Sequence, residues 1–98
     1  MWHLTILGQC QQATGDLASA VVTLKDAAQK GPRSPFPRVC LADALVETGD
    51  TASATAVAKE ITRLERNFSL ARWRGAYFRD AEARRRSLER LREAGLPA

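Results

Sequence analysis

The chain holds one histidine, two cysteines, one methionine and one tyrosine among its 98 residues, and each scarcity closes off a kind of chemistry. With His3 alone near one end, no second histidine is present to build a proton relay or complete a zinc site. Cys10 and Cys40 sit in apolar, helix-patterned stretches without the histidine or glycine-rich context that activates a thiol, so both read as buried filler and not as a disulfide or a nucleophile. No glycine loop of the phosphate-cradling type occurs. No apolar run reaches the ~18 residues that suggest a membrane span. The stretch Met1 to Leu7 is too short for a secretory signal and lacks its basic start, so a cytoplasmic protein is expected.

What is present is an ordinary globular composition, 45% hydrophobic and 27% charged, enough for one small domain with a thin core. The formal charge of +4 is unevenly spread. Residues 1–69 carry seven Lys/Arg and seven Asp/Glu, whereas residues 70–98 carry eight Arg and four Asp/Glu. The excess is therefore a property of the last third alone.

Laid on itself, the sequence repeats with a period of 34: Gly15-Asp16-Leu17-Ala18-Ser19-Ala20 returns as Gly49-Asp50-Thr51-Ala52-Ser53-Ala54. At the same offset Leu7 meets Leu41, Lys25 meets Lys59 and Asp26 meets Glu60. Such a period points to stacked helical hairpins. Leu17, Ala20, Val21, Leu24, Ala27 and Ala28 keep the three-and-four spacing of an amphipathic helix, as do Leu4, Leu7 and Gln11 before them. Gly15 and Gly49 suit a left-handed residue that closes a helix, and Asp16 and Asp50 suit the cap that opens the next. The methyl groups of Ala18, Ala20, Ala52 and Ala54 allow close helix approach. Between the units, Gly31-Pro32-Arg33-Ser34-Pro35 stops one helix and starts another, with Ser34 as cap. Helices are predicted near 2–14, 16–30, 35–48 and 51–65.

Leu4, Leu7-Gly8, Gln11, Ala20, Leu24 and Pro32 fall at the spacings of the tetratricopeptide pattern, in which Trp, Leu-Gly, Tyr, Ala, Phe and Pro stand. The chain thus resembles the tetratricopeptide repeat (TPR) family. In the second unit Leu41-Ala42 and Ala54 match, while Arg38, Ala58 and Arg66 replace Trp, Phe and Pro. The resemblance implies an all-α fold of antiparallel hairpins in a right-handed superhelix, one domain over 1–98, with repeats at about 1–33 and 34–67 and a C-terminal cap at about 68–98. A four- or five-helix bundle is the alternative, but it gives no reason for the same turn to occur twice at this period.

In the last third, Phe68 and Trp73 are placed to cover the open end of the second hairpin, which stacked repeats require. Asp80 reads as the cap of a final helix with Leu88 and Leu91 inward, ending at Gly95. The runs Phe68-Ser69-Leu70-Ala71-Arg72-Trp73, Tyr77-Phe78-Arg79-Asp80 and Leu88 to Pro97 resemble the close of bacterial TPR tails behind class III adenylate cyclase domains and in TPR-bearing transcriptional regulators. A signalling context follows by that association only, since no paired metal-binding aspartates or nucleotide pocket are present. The cluster Arg84-Arg85-Arg86 with Arg90 and Arg92 raises nucleic-acid binding. Pairing along the helix, Glu82 with Arg86, Arg85 with Glu89 and Arg86 with Glu89, is the stronger reading.

Function then reads as protein binding without catalysis, cofactor or metal. The resemblance places the first helix of each hairpin on a concave face, where helical phase selects Thr5, Gln9, Gln12, Val39, Asp43 and Val46, with Phe36 at the edge. This face lacks the Lys/Arg/Asn set with which some relatives grip a C-terminal carboxylate, so an extended peptide or a neighbouring helix is the expected ligand. Asp43 and Glu47, one turn apart, read as a partner-facing edge and not as an acid/base pair. Self-association through the N-terminal helix, with Trp2, Leu4 and Ile6, is the other expected contact. A regulatory tail of a cyclase-like or transcription-regulator protein, and a basic nucleic-acid binder, are the alternatives to a scaffold.

Overall fold

The computed structural model describes residues 2–73 and 81–98, and among them every regular element is helical. The order is α1 (Trp2–Ala13), α2 (Leu17–Lys30), α3 (Pro35–Glu47), α4 (Thr51–Leu64) and α5 (Ala81–Glu93). α2 and α4 are related by the 34-residue offset at both ends. No described helix is long and apolar enough to cross a membrane.

The repeat holds down to single hydrogen bonds. α1 closes with Gly15 N–H on the Gln12 carbonyl at 3.1 Å and Asp16 N–H on Gln11 at 2.9 Å. α3 closes with Gly49 on Val46 and Asp50 on Leu45, both at 2.9 Å, the same carbonyls 34 residues on. This paired closure demands a left-handed residue, and φ is +89° at Gly15 and +91° at Gly49. The aspartate after each glycine accepts from the backbone N–H three residues later, Ser19 at 3.3 Å and Ser53 at 3.2 Å. α5 ends the same way, with Gly95 at φ +103° and Leu96 N–H on the Leu91 carbonyl. Ser34 sits at the cap position of α3, but its side chain makes no capping bond; Pro37, three residues on where Ser19 and Ser53 stand in α2 and α4, supplies no N–H to cap. The expected Asp80 cap and the Tyr77-to-Asp80 turn lie outside the described residues.

α1 with α2 and α3 with α4 form the two hairpins, and α2 lies against α3. That makes α3 the centre: Pro37 through Val46 are all buried, because α1, α2, α4 and α5 each pack on it. Leu24, Val39, Leu41, Ala42, Ile61, Phe68, Leu70, Leu91 and Leu96 join one core. Phe68 is buried and Trp73 half-buried, stacked in a chain of rings that runs Trp2, Phe36, Trp73, Phe68 with centroids 5.2, 5.7 and 6.1 Å apart.

The thiols part company. Cys40 is buried, but Cys10 is exposed, contrary to the sequence expectation. The reason is position in the stack: α3 is enclosed on both flanks and α1 on one.

Candidate functional site

A cleft of about 330 Å³ runs between α1, α3 and α5, bordered by Gln9, Gln12, Asp43, Glu47, Arg86 and Arg90. Its floor is built from the first helix of each hairpin, whose residues recur every three or four positions on one side. Its far wall is α5, which lies along α3.

Asp43 organises the floor. Its carboxylate accepts from Ser87 Oγ at 2.5 Å, from Arg90 Nε, and from Gln12 Nε2 at 3.1 Å. Gln12 also donates to Glu47 at 2.8 Å, and Arg90 reaches Glu47 at 3.9 Å. One buried acid thus joins α1, α3 and α5, and its charge is met by a guanidinium one helical turn from the serine. Cys40 lies one turn before Asp43; burial pushes its thiol well above the ordinary range, and the Asp43 charge adds to this. A thiol so held is protonated at neutral pH and is not a nucleophile.

The sequence-selected residues divide in two. Gln9 and Gln12 are half-buried and line the cleft, and Asp43 lies at its base with little exposure. Phe36 is half-buried between Trp2 and Trp73. Thr5, with no exposed surface, belongs to the interior; Val39, at 1%, lies at the inner lining of the cleft, and Val46 is buried as well. These three offer a partner almost no surface. Thr5 sits one turn before Gly8, which packs on Leu24 of the hairpin's second helix, whereas Val46 is the counterpart of Gln12 and is buried on the more enclosed α3.

The arginines of α5 pair differently from the expected pattern. Arg85 takes both acids, Glu82 and Glu89, while Arg86 borders the cleft. Spacings of three and four from one arginine put both carboxylates within its reach. The pairing with Arg85 holds the Glu82 carboxyl below the usual range and raises the Arg85 guanidinium.

Arg38 is the residue whose role sequence reasoning missed. Its guanidinium is nearly enclosed and donates to the carbonyls of Ala28 at 3.1 Å, Gly31 at 2.8 Å and Ser34 at 3.0 Å, and to Glu60 at 2.5 Å. It therefore closes the C-terminus of α2, where carbonyls lack intrahelical donors, and ties that end to α4. The available signal was an arginine at a repeat position that otherwise holds a large apolar residue.

No family model, curated protein or solved structure matches this chain. Among the described residues no group of three or more His, Cys, Asp and Glu side chains is placed to hold a metal ion. What the cleft offers chemically is a carboxylate floor, two side-chain amides and two arginines, among which Gln12 and Arg90 already bond to the carboxylates.

Proposed function

We propose that this chain is a TPR-type scaffold that binds protein through the cleft between α1, α3 and α5. The observation that carries this reading is the Asp43 cluster: the floor already holds one helix, α5, by a serine and an arginine one turn apart. A surface that grips α5 in this way suits a partner helix or peptide with the same side chains beside it. The duplicated hairpin supports the family assignment, and superhelical stacking of further hairpins belongs with it. Two free cysteines fit a reducing compartment such as a bacterial cytoplasm. Basic nucleic-acid binding ranks lower, since Arg85 and Arg90 are engaged by carboxylates.

A photo-crosslinker at Gln9 tests this. A defined protein adduct that disappears when Gln12→Arg reverses the polarity of the floor supports the cleft; an adduct indifferent to that substitution removes it.

A second reading, a regulatory tail joined to a catalytic or DNA-binding domain, is favoured by the uncovered outer side of α1. There Leu7 is 48% exposed, and Cys10 is exposed beside it.

A further inference from the structure

The 34-residue repeat allows each position of α1 to be compared with its counterpart in α3, and one flank differs. Leu41 is 5% exposed and Ala44 fully buried, on the side of α3 that Arg38 marks by reaching the α2 carbonyls of Ala28 and Gly31. Their counterparts Leu7 and Cys10 on α1 are exposed. Pro37 is buried and its counterpart His3 exposed. Leu45 is buried, and its counterpart Gln11 encloses an Oε1 with no hydrogen-bond donor. The chain itself shows what covers this flank where it is covered: the second helix of the preceding hairpin, α2.

The flank is also chemically prepared for such a neighbour. α1 carries no Asp, Glu, Lys or Arg from Trp2 to Ala13, with His3 as its one basic side chain, whereas α5 carries eight Asp, Glu and Arg residues. A twelve-residue surface helix without a carboxylate, ammonium or guanidinium leaves His3 as the one cationic group that could be desolvated when another helix is laid on it.

From this the geometry points to the outer flank of α1 as a docking face for the second helix of another α1–α2-type hairpin. The occupant's recognisable chemistry is a stripe like that of α2, with Ala20, Leu24, Ala27 and Ala28 at helical spacing. Because Leu4 stands where α3 has Arg38, the docked helix must close its own C-terminal carbonyls. A second copy does not fit head to tail: beyond α4, the residues Phe68, Leu70 and Leu96 are buried, and Leu70 N–H is bonded to the Pro97 carbonyl at 2.9 Å. One end of the stack is closed and the other open. This inference is independent of the α5 cleft, which lies on the opposite flank of the hairpins' first helices.

The test places a second copy of residues 1–34 directly ahead of Met1 in the full chain, with Cys10→Ser in the added copy only. The native spacing from α2 to the following helix is thereby preserved. Stacking predicts that the original Cys10 reacts with a thiol reagent at least about tenfold more slowly than in the unextended chain, and that helicity and the urea midpoint rise. Leu7→Glu in the original copy should abolish this protection while leaving the urea midpoint of the unextended chain unchanged. Cys10 reacting at the unextended rate, or protection that survives Leu7→Glu, overturns the inference. So does an unextended chain that sediments as a dimer with Cys10 protected, because the occupant would then be a second copy joined face to face.

Discussion

The packing of Gly8 against Leu24 predicts a sign reversal that a double-mutant cycle can measure. A Cβ added at Gly8 would lie 2.5 Å from Leu24 Cγ and 2.6 Å from Cδ2, about an ångström inside normal carbon contact. Leu24 has no exposed surface, so it cannot swing into solvent to make room. Gly8→Ala alone therefore sets an overpacking cost of about 2–3 kcal/mol against a helix-propensity gain of about 1 kcal/mol, a net loss of about 1–2 kcal/mol. Leu24→Ala alone leaves a cavity and costs about 2–5 kcal/mol. With Leu24 truncated the clash is gone, and Gly8→Ala then gains about 1 kcal/mol from propensity and about 0.8 kcal/mol from the buried methyl. The coupling between the two sites is thus about 3 kcal/mol. The second hairpin carries the compatible pair, Ala42 and Ala58, both buried, at the corresponding positions. Urea unfolding of the four proteins by circular dichroism measures the cycle. Additivity within about 0.5 kcal/mol, or stabilisation by Gly8→Ala in the parent, refutes this account of the hairpin.

Three further outcomes follow from the hydrogen bonds. Arg38→Met should cost about 2–4 kcal/mol in urea unfolding, because it strips donors from the Ala28, Gly31 and Ser34 carbonyls, and Arg38→Lys should restore little because an ammonium cannot span those directions. Asp43→Ala should speed amide exchange in α5 far more than in α2, with a loss of about 2–3 kcal/mol and coupling to Arg90→Ala, since that carboxylate is the acid that Ser87 and Arg90 share. Uniform acceleration across all helices would contradict its role as the fastening of α5. The Ser53 hydrogen bond holds the Asp50 carboxyl below its ordinary range, so its contribution is complete above the unfolded-state value and is lost as pH falls through the folded one. The difference in urea midpoint between the parent and Asp50→Ala should accordingly narrow on acidification.

The hairpins were legible because their determinants are local. Gly-Asp followed by small residues sets the turn, the cap and the helix approach within a few positions, and the 34-residue offset carried both boundaries of α2 onto α4. The seating of α5 was not legible. The repeat period would start a third unit near residue 69, whereas α5 begins at Ala81, so no register placed Ser87 and Arg90 on Asp43 across 44 and 47 residues. The cleft was half legible for a geometric reason. A three-and-four stripe is wide enough to include Gln9 and Gln12, which face the cleft, together with Thr5, which faces the hairpin interior, and only neighbouring helices divide the two. Cys10 and Cys40 look alike in sequence, but Cys10 lies on a flank of α1 that no described helix covers, whereas Cys40 is enclosed beside Asp43 at the inner lining of the cleft.

Gln11 joins the local account to the open flank, and it yields the last prediction. Its Oε1 is enclosed without a donor at the position where α3 has Leu45. An enclosed acceptor left unpaired costs about 1–3 kcal/mol, so Gln11→Leu should stabilise the isolated chain by about 1 kcal/mol in urea unfolding. Two roles of the amide can then be separated. If Gln11 only reflects drift in a helix under weak packing demand, the leucine should help equally with and without an added hairpin. If the incoming helix supplies a donor to Oε1, the gain should shrink or reverse in the extended chain, because the substitution then removes a hydrogen bond across the new interface. Comparing Gln11→Leu in the two backgrounds therefore tests whether the open flank is selective for its neighbour or simply apolar.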